Sequence, residues 1–97
     1  MKYEVLISPT AEGHLEAAYQ WIARQTEHAK EWHDQFIEVL ISLEENPARR
    51  PAVRRDPETG EEYRQLLFGS KHHACKILFV IRGNHVRVGQ IRHGARR

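Results

Sequence analysis

The chain has 97 residues, which fits one compact domain over 1–97 with no room for a second. Hydrophobic residues make up 40% and charged residues 29%, a balance typical of a folded globular chain and not of a disordered one. No apolar run approaches the roughly 20 residues that span a bilayer. The first residues lack the apolar stretch of a signal peptide, and the single cysteine cannot form an internal disulfide. We therefore expect a cytoplasmic protein without membrane contact.

Charge is distributed unevenly along the chain. Residues 1–48 carry three basic and nine acidic side chains, a charge of −6, whereas residues 49–97 carry twelve basic and four acidic ones, a charge of +8. Eleven of the fifteen basic residues are arginines, whose planar guanidinium suits phosphate and carboxylate. This division predicts either a basic surface for an anionic partner or two halves that neutralise each other across their own interface.

The first half of the chain predicts a short strand over residues 3–7 and two helices. Ser8 and Pro9 start the first helix, because a serine oxygen caps free amides and proline favours the first helical position. It ends near Gln25, and the second helix stops at Asn46-Pro47. Two adjacent amphipathic helices with a short joint predict a helical hairpin. Their apolar positions recur at helical spacing: Leu15, Ala18, Tyr19 and Ile22, then Ala29, Trp32, Phe36, Val39, Leu40 and Leu43.

The second half predicts a loop over residues 48–62, rich in proline and arginine, and then three antiparallel strands. The strand over 74–81 is nearly all apolar, which indicates a central strand buried on both faces. Gly83-Asn84 predicts a two-residue hairpin, and the apolar positions change parity across Gly89, which predicts a bulge in the last strand. The predicted fold is α+β: an N-terminal strand, a helical hairpin and three antiparallel strands, with the helices packed on one sheet face. The side chains expected to be mostly buried are Leu15, Tyr19, Ile22, Trp32, Phe36, Leu40, Leu43, Ile77 and Phe79.

Metal and cofactor chemistry finds little support in the sequence. The seven histidines include His28 and His33, which are five residues apart and do not share a helix face. No Cys/His group has zinc spacing, so we expect no metal site. Cys75 lies in an apolar strand and is interpreted as a small buried hydrophobe. The chain has no phosphate-binding glycine loop and no nucleophile-elbow motif, and we expect no cofactor.

Basic side chains of the three C-terminal strands are the candidates for a functional surface. Lys76 is a charge inside an apolar strand and must reach solvent or a partner. If it shares a surface with Arg64 and His93, the sheet presents a cationic site for RNA phosphates, where histidine moves a proton. The same site could dock an acidic protein segment, or the cations could form structural salt bridges to the acidic helices. The candidate set is Arg64, Lys76, Arg87, Arg92, His93, Arg96 and Arg97.

Short motifs follow one another along most of the chain. An opening strand runs into Ser8-Pro9, a helical hairpin ends in Asn46-Pro47, and Arg64-Gln65-Leu66 follows. The apolar strand over 75–81 comes next, and the sequence closes with Ile91-Arg92-His93-Gly94-Ala95-Arg96. In this order and spacing the chain resembles the RelE/ParE superfamily, the toxins of type II toxin–antitoxin modules. The resemblance implies a growth-inhibiting toxin of a plasmid-stabilisation-type module. It also implies a cognate antitoxin whose flexible segment wraps the sheet and helices of the toxin. The assembly would be a homodimer of the toxin or a toxin–antitoxin hetero-oligomer.

The superfamily divides by target. RelE-like members cut mRNA in the ribosome with a basic cluster and, in many, a tyrosine near the C-terminus. Here Lys76 stands where the family usually has arginine, Phe79 where tyrosine is common, and no tyrosine follows His93. ParE-like members lack that nuclease set and inhibit DNA gyrase, and the missing tyrosine favours this non-enzymatic interpretation. In the RelE-like alternative, Arg64, Lys76 and Arg96 stabilise phosphate charge and His93 acts as acid or base. A third hypothesis is a plain nucleic-acid-binding domain that uses the basic sheet.

Overall fold

The structure is a computed structural model that describes residues 2–69 and 74–94. Its sheet has five strands in the order β1-β5-β4-β3-β2; β1 runs parallel to β5 and every other neighbouring pair is antiparallel. The predicted α+β architecture, with two helices on one face of the sheet, is confirmed. The elements are β1 (Glu4–Ile7), α1 (Pro9–Ala23), α2 (Ala29–Ile41), β2 (Ala52–Arg55), β3 (Glu62–Phe68), β4 (Cys75–Arg82) and β5 (His85–His93).

The prediction of a loop over residues 48–62 is wrong for its central residues, which form a strand. Residues Ala52–Arg55 form β2, an edge strand that pairs with β3, and all four of its residues are exposed. The strand has neither an apolar run nor an alternating pattern, because both of its faces meet solvent. Pro51 precedes it and still takes part in the sheet: its carbonyl accepts a hydrogen bond from the Gln65 amide at 3.1 Å. Pairing with β3 therefore defines this strand more than its own sequence does.

Helix α1 begins as the sequence predicts. Ser8 is the N-cap in extended backbone, and its Oγ accepts a hydrogen bond from the Ala11 amide at 3.0 Å. The Ser8 amide also donates to the Val88 carbonyl at 3.0 Å, which ties the start of the helix to β5. Capping satisfies an amide that the first helical turn leaves without an intrahelical acceptor.

The second helix ends before the predicted stop. Helix α2 finishes at Ile41 and a 3-10 turn continues to Glu44. Asn46 then adopts a left-handed conformation with φ 47°, and Pro47 follows, fully buried. Because the residue before a proline avoids the helical region and asparagine tolerates positive φ, this pair turns the chain away from the helical layer.

The bulge predicted at Gly89 is confirmed. Phe79 pairs with Val88 and Leu78 pairs with Gln90, so Gly89 is the extra residue of β5. Helix α1 satisfies the backbone around it: Ser8 Oγ donates to the Gly89 carbonyl at 3.3 Å, and the Ile91 amide donates to His14 Nδ1 at 3.2 Å. The predicted hairpin is also present, with Gly83 at φ 58° between β4 and β5.

The core lies between the helices and one face of the sheet. Phe36 of α2 is fully buried and its ring lies 5.3 Å from those of Trp32 and Phe68, centroid to centroid. Of the nine side chains predicted to be buried, eight are buried and Tyr19 is partly buried against the same core. In the part of the chain that the structure describes, no helix is long and apolar enough to cross a membrane.

Candidate functional site

The pairing register assigns each strand residue to one of two faces, since neighbouring residues of a strand point to opposite sides. The face under the helices, called the helix-side face, carries the core side chains Leu66, Cys75, Ile77, Phe79, Val86, Val88 and Ile91. The opposite face, called the open face, carries Arg54 of β2, Tyr63, Gln65 and Leu67 of β3, Lys76, Leu78, Val80 and Arg82 of β4, and Arg87, Gln90 and Arg92 of β5.

Three cations of the open face surround one shallow cavity of about 210 Å³. Arg54, Lys76 and Arg92 line it together with Gln65, Val53 and Leu78. Lys76 and Arg92 are cross-strand partners on β4 and β5, so two like charges stand directly opposite each other. Leu78 is buried beneath these longer side chains although it faces away from the helices. The sequence prediction that the central strand is buried on both faces holds here for this reason.

The three cations around the cavity, like Arg24, Arg49, Arg50 and Arg87, form no ion pair among the described residues. Within residues 2–69 and 74–94, Arg54, Lys76 and Arg92 make no ion pair with a carboxylate. Arg54 stacks on the Tyr63 ring at 4.8 Å from its centroid, and Arg92 Nε donates to Gln90 Oε1 at 3.3 Å. In the same ranges, the cations that do pair with carboxylates are Lys2 with Glu44, Lys30 with Asp34, Arg55 and Arg64 with Glu62, and Arg82 with Glu61.

The same ion pairs decide between the two interpretations of the uneven charge. Each described Lys or Arg that pairs with a carboxylate finds it in its own half of the chain, as Lys30 does with Asp34 and Arg82 with Glu61. Among the described residues, no Lys or Arg of the basic half forms an ion pair with a carboxylate of the acidic half. His85 Nε2 of the basic half lies 3.0 Å from Glu4 Oε1 of the acidic half, a pair that is charged only when the imidazole is protonated. Direct pairing between the halves therefore does not neutralise the described lysines and arginines of the basic strands.

The structure places Arg64 away from Lys76. Leu66 and Phe68 of β3 belong to the helix-side core, so Arg64, two residues earlier, points to the same side. Its Nη1 donates hydrogen bonds to the carbonyl oxygens of Ala48 at 3.1 Å and Arg50 at 2.7 Å. The guanidinium thus holds the segment before β2 against the sheet.

His93 also lies on the helix-side face. It is buried, and its ring lies 4.8 Å from that of Trp21 on α1. The sequence carries a signal for this position, because His93 follows Arg92 within one strand and consecutive strand residues cannot share a face. Of the predicted set, the open face brings together Lys76, Arg87 and Arg92. Arg96 and Arg97 lie outside the described residues.

Sequence reasoning missed Arg54, because it assigned residues 48–62 to a loop. The only local sign of a strand is Val53 beside it, too short a pattern for a prediction. Cys75 behaves as predicted: burial raises the pKa of its thiol to about 12, which keeps it protonated and poorly nucleophilic at neutral pH. Within the described ranges, no group of three or more His, Cys, Asp or Glu side chains is arranged to hold a metal ion.

The family model for the ParE toxin of the type II toxin–antitoxin system parDE matches residues 5–97. The chain belongs to the ParE toxin family. This confirms the resemblance to the RelE/ParE superfamily and makes the protein a toxin of the type II toxin–antitoxin class. No curated protein matches the chain in sequence.

Solved structures show that the ParE family member shares its fold with chains of both branches. One belongs to a chromosomal ParDE toxin–antitoxin system from P. aeruginosa, with a TM-score of 0.71 and 17% identity over 95% of this chain and 96% of that one. Another belongs to the RelBE2 toxin–antitoxin complex from Mycobacterium tuberculosis, with a TM-score of 0.63 and 16% identity over 98% and 94% of the two chains. At such identities the likeness concerns the fold alone.

Proposed function

We propose that this ParE family member is a growth-inhibiting toxin that acts on DNA gyrase without cleaving mRNA. The observation that carries the proposal is the division of the predicted nuclease set between the two faces of the sheet. Lys76 is exposed on the open face, whereas Arg64 and His93 lie on the helix-side face. A proton-transfer group must lie within hydrogen-bond reach of the proton that it moves. His93 and Lys76 therefore do not form one catalytic site, and a docking role suits the open face better.

The proposed partner is a cognate antitoxin with an acidic, flexible segment. The basic half of the chain has a formal charge of +8, and none of its described lysines or arginines forms an ion pair with a carboxylate of the acidic half. An oppositely charged disordered segment would be steered towards this half, and the complex would keep the toxin inactive in the cytoplasm until the antitoxin is lost. Antitoxin-bearing complexes among the structural neighbours support this proposal.

The deciding experiment exposes the two targets to the same purified chain. We expect inhibition of gyrase supercoiling on a relaxed plasmid, and intact mRNA after incubation with translating ribosomes. Lys76→Ala should raise the concentration of chain needed for inhibition, and full inhibition should still be reached at higher concentration, because the loss of one contact only weakens binding. The loss of a catalytic group would instead lower the rate at every concentration. Arg82→Ala is the matched control, because it removes the same charge from the same strand at a cation already paired with Glu61.

Three other outcomes would contradict the proposal. Codon-dependent cleavage of ribosome-bound mRNA would establish the RelE-like alternative. Inactivity towards both targets would point to a third one. Expression of the chain alone without any effect on growth would favour the plain nucleic-acid-binding domain.

The antitoxin proposal has its own test in association kinetics. The on-rate of toxin and antitoxin should fall as ionic strength rises, because long-range steering is screened by salt. Stopped-flow mixing at several salt concentrations measures this dependence. An on-rate that is indifferent to salt would show that apolar contacts alone drive the encounter.

A further inference from the structure

We infer that the open face carries a binding site for the phosphate backbone of DNA, centred on Arg54, Lys76 and Arg92. These side chains line a single cavity with Gln65, whose amide can donate a hydrogen bond, and with Leu78 as its apolar floor. The choice of DNA as the source of the phosphates rests on the proposed action on gyrase. The existence of an anion site rests on the geometry of the open face.

Lys76 and Arg92 have no counter-charge among the described residues. Lys76 and Arg92 face each other across β4 and β5, an arrangement of like charges that destabilises a sheet unless an anion relieves it. No described carboxylate pairs with either side chain. The residues outside the described ranges, namely 1, 70–73 and 95–97, include no Asp or Glu in the sequence. No carboxylate side chain of this chain is therefore available to neutralise the pair, which leaves that role to an external anion.

Contacts within the protein already orient the guanidinium groups of Arg54 and Arg92. Arg54 is held over the Tyr63 ring at 4.8 Å, and Arg92 is held by Gln90 at 3.3 Å. Both contacts orient the guanidinium while leaving other N–H groups for a ligand. A guanidinium oriented in this way matches phosphate oxygens with less loss of side-chain entropy on binding.

The position of the cations on the sheet favours DNA over a protein partner. Protein interfaces are depleted of charge at their centre and carry it at the rim, whereas interfaces with DNA are strongly positive. Here Lys76 and Arg92 lie on the central strands β4 and β5, whereas Arg54 lies on the edge strand β2, beside the exposed Val53. A further cation, Arg87, lies on the same face four β4 positions from the Lys76–Arg92 pair, about 13 Å away at the usual rise of a strand. A backbone that repeats its charge about every 3.4 Å along each strand can reach both positions.

The test is fluorescence anisotropy of a labelled DNA duplex of about 20 base pairs with the purified chain, titrated at several KCl concentrations from about 20 mM upwards. We expect binding whose affinity falls with salt. Lys76→Gln and Arg92→Gln should each weaken binding and lower the salt slope by about 0.9, and the double variant by about 1.8. Arg82→Gln is the control, since it lies on the same strand and face but is committed to Glu61 through bonds of 2.5 and 2.8 Å. Far-UV circular dichroism and a thermal melt confirm that each variant is folded.

Each contrary result has a definite meaning. No binding of the unmodified chain at the lowest salt would overturn the site, and an equal loss of slope in Arg82→Gln would reduce it to a general charge effect. Tighter binding of a single-stranded RNA of the same length would overturn the choice of DNA. Binding of polyglutamate, but not of DNA, through Lys76 and Arg92 would make the face a protein-docking surface. Binding of DNA without inhibition of gyrase would contradict the proposed function while leaving the site intact.

Discussion

On the helix-side face of the sheet, Arg64 donates two hydrogen bonds to main-chain carbonyls and pairs with Glu62, and only 22% of its side chain remains exposed. On the open face, Lys76 and Arg92 stand opposite each other, exposed, with no carboxylate partner among the described residues. The helix-side face carries Arg55 and Arg64, both paired with Glu62, whereas the open face carries Arg54, Lys76, Arg82, Arg87 and Arg92, of which Arg82 is paired with Glu61. The faces therefore differ in how many of these cations have a carboxylate partner among the described residues. We conclude that Arg64 holds the fold together, whereas Lys76 and Arg92 are available to a partner.

The largest effect on stability should come from a substitution that creates a cavity in the helix-side core. Phe36→Ala removes a fully buried ring that contacts Trp32 and Phe68, and we expect the free energy of unfolding to fall by about 3–5 kcal/mol. Urea denaturation measures it. Leu67→Ala is the control: Leu67 is 63% exposed on the open face, and its loss should change stability by about 0.5 kcal/mol or less. Equal effects at the two positions would mean that the open face is also packed, by a second copy of the chain.

The next effect tests the structural role of Arg64. Arg64→Met keeps most of the apolar stem but removes the donor to the carbonyls of Ala48 and Arg50, and we expect a loss of about 1.5–3 kcal/mol. The change also removes one positive charge, as Lys76→Gln does on the other face. Its effect on the salt slope of DNA binding should nevertheless be absent. A variant that unfolds at the same urea concentration as the unmodified chain would show that Arg64 does not anchor the segment before β2.

Local patterns in the sequence were sufficient for the elements that pack on the core. Ser8 caps a helical amide, helical spacing places Phe36 in the core, and the parity change at Gly89 keeps the apolar residues of β5 on one face, so each could be predicted from a short stretch of sequence. Strand β2 has no such local pattern in its sequence, because all four of its residues are exposed. Its pairing with β3 is a tertiary contact that no short window contains.

The candidate site was predictable only within single strands. Arg92 and His93 are neighbours in β5, so the alternation of side chains along a strand places them on opposite faces of the sheet. Whether Arg64 shares a face with Lys76 depends on the register between β3 and β4, which pairs Arg64 with Phe79 and Leu67 with Lys76. That register is set by the packing of both strands under the helices. A shift by one residue would have reversed the assignment of every side chain.

A thiol on the helix-side face offers a prediction about pH. Burial raises the pKa of Cys75 from 9.0 to about 12. Above pH 9 the unfolded chain loses the thiol proton while the folded chain retains it. This contribution to stability is therefore complete below pH 9 and is lost as the pH rises towards 12. At pH 10 we expect Cys75 to account for about 1 kcal/mol of lost stability.

Urea denaturation of the unmodified chain and of Cys75→Ala, at pH 7 and pH 10, isolates this contribution because the other titrating groups are common to both. The difference in stability between the two proteins should shrink at the higher pH. A difference that is the same at both pH values would mean that solvent reaches the thiol in the folded state and that the strand ends near Cys75 are open.

The smallest expected effect has the opposite sign and separates the two faces most sharply. Lys76→Gln replaces the ammonium by an uncharged amide on a slightly shorter side chain and removes the repulsion with Arg92, so the free energy of unfolding should rise by about 0.2–1 kcal/mol at low ionic strength. The gain should shrink in about 0.5 M KCl, where screening already weakens the repulsion in the unmodified chain. Arg82→Gln, which breaks the pair with Glu61, should not raise stability at either salt concentration. If Lys76→Gln instead destabilised the protein, Lys76 would be a structural side chain like Arg64, and the open face would have lost the feature that marks it as a binding surface.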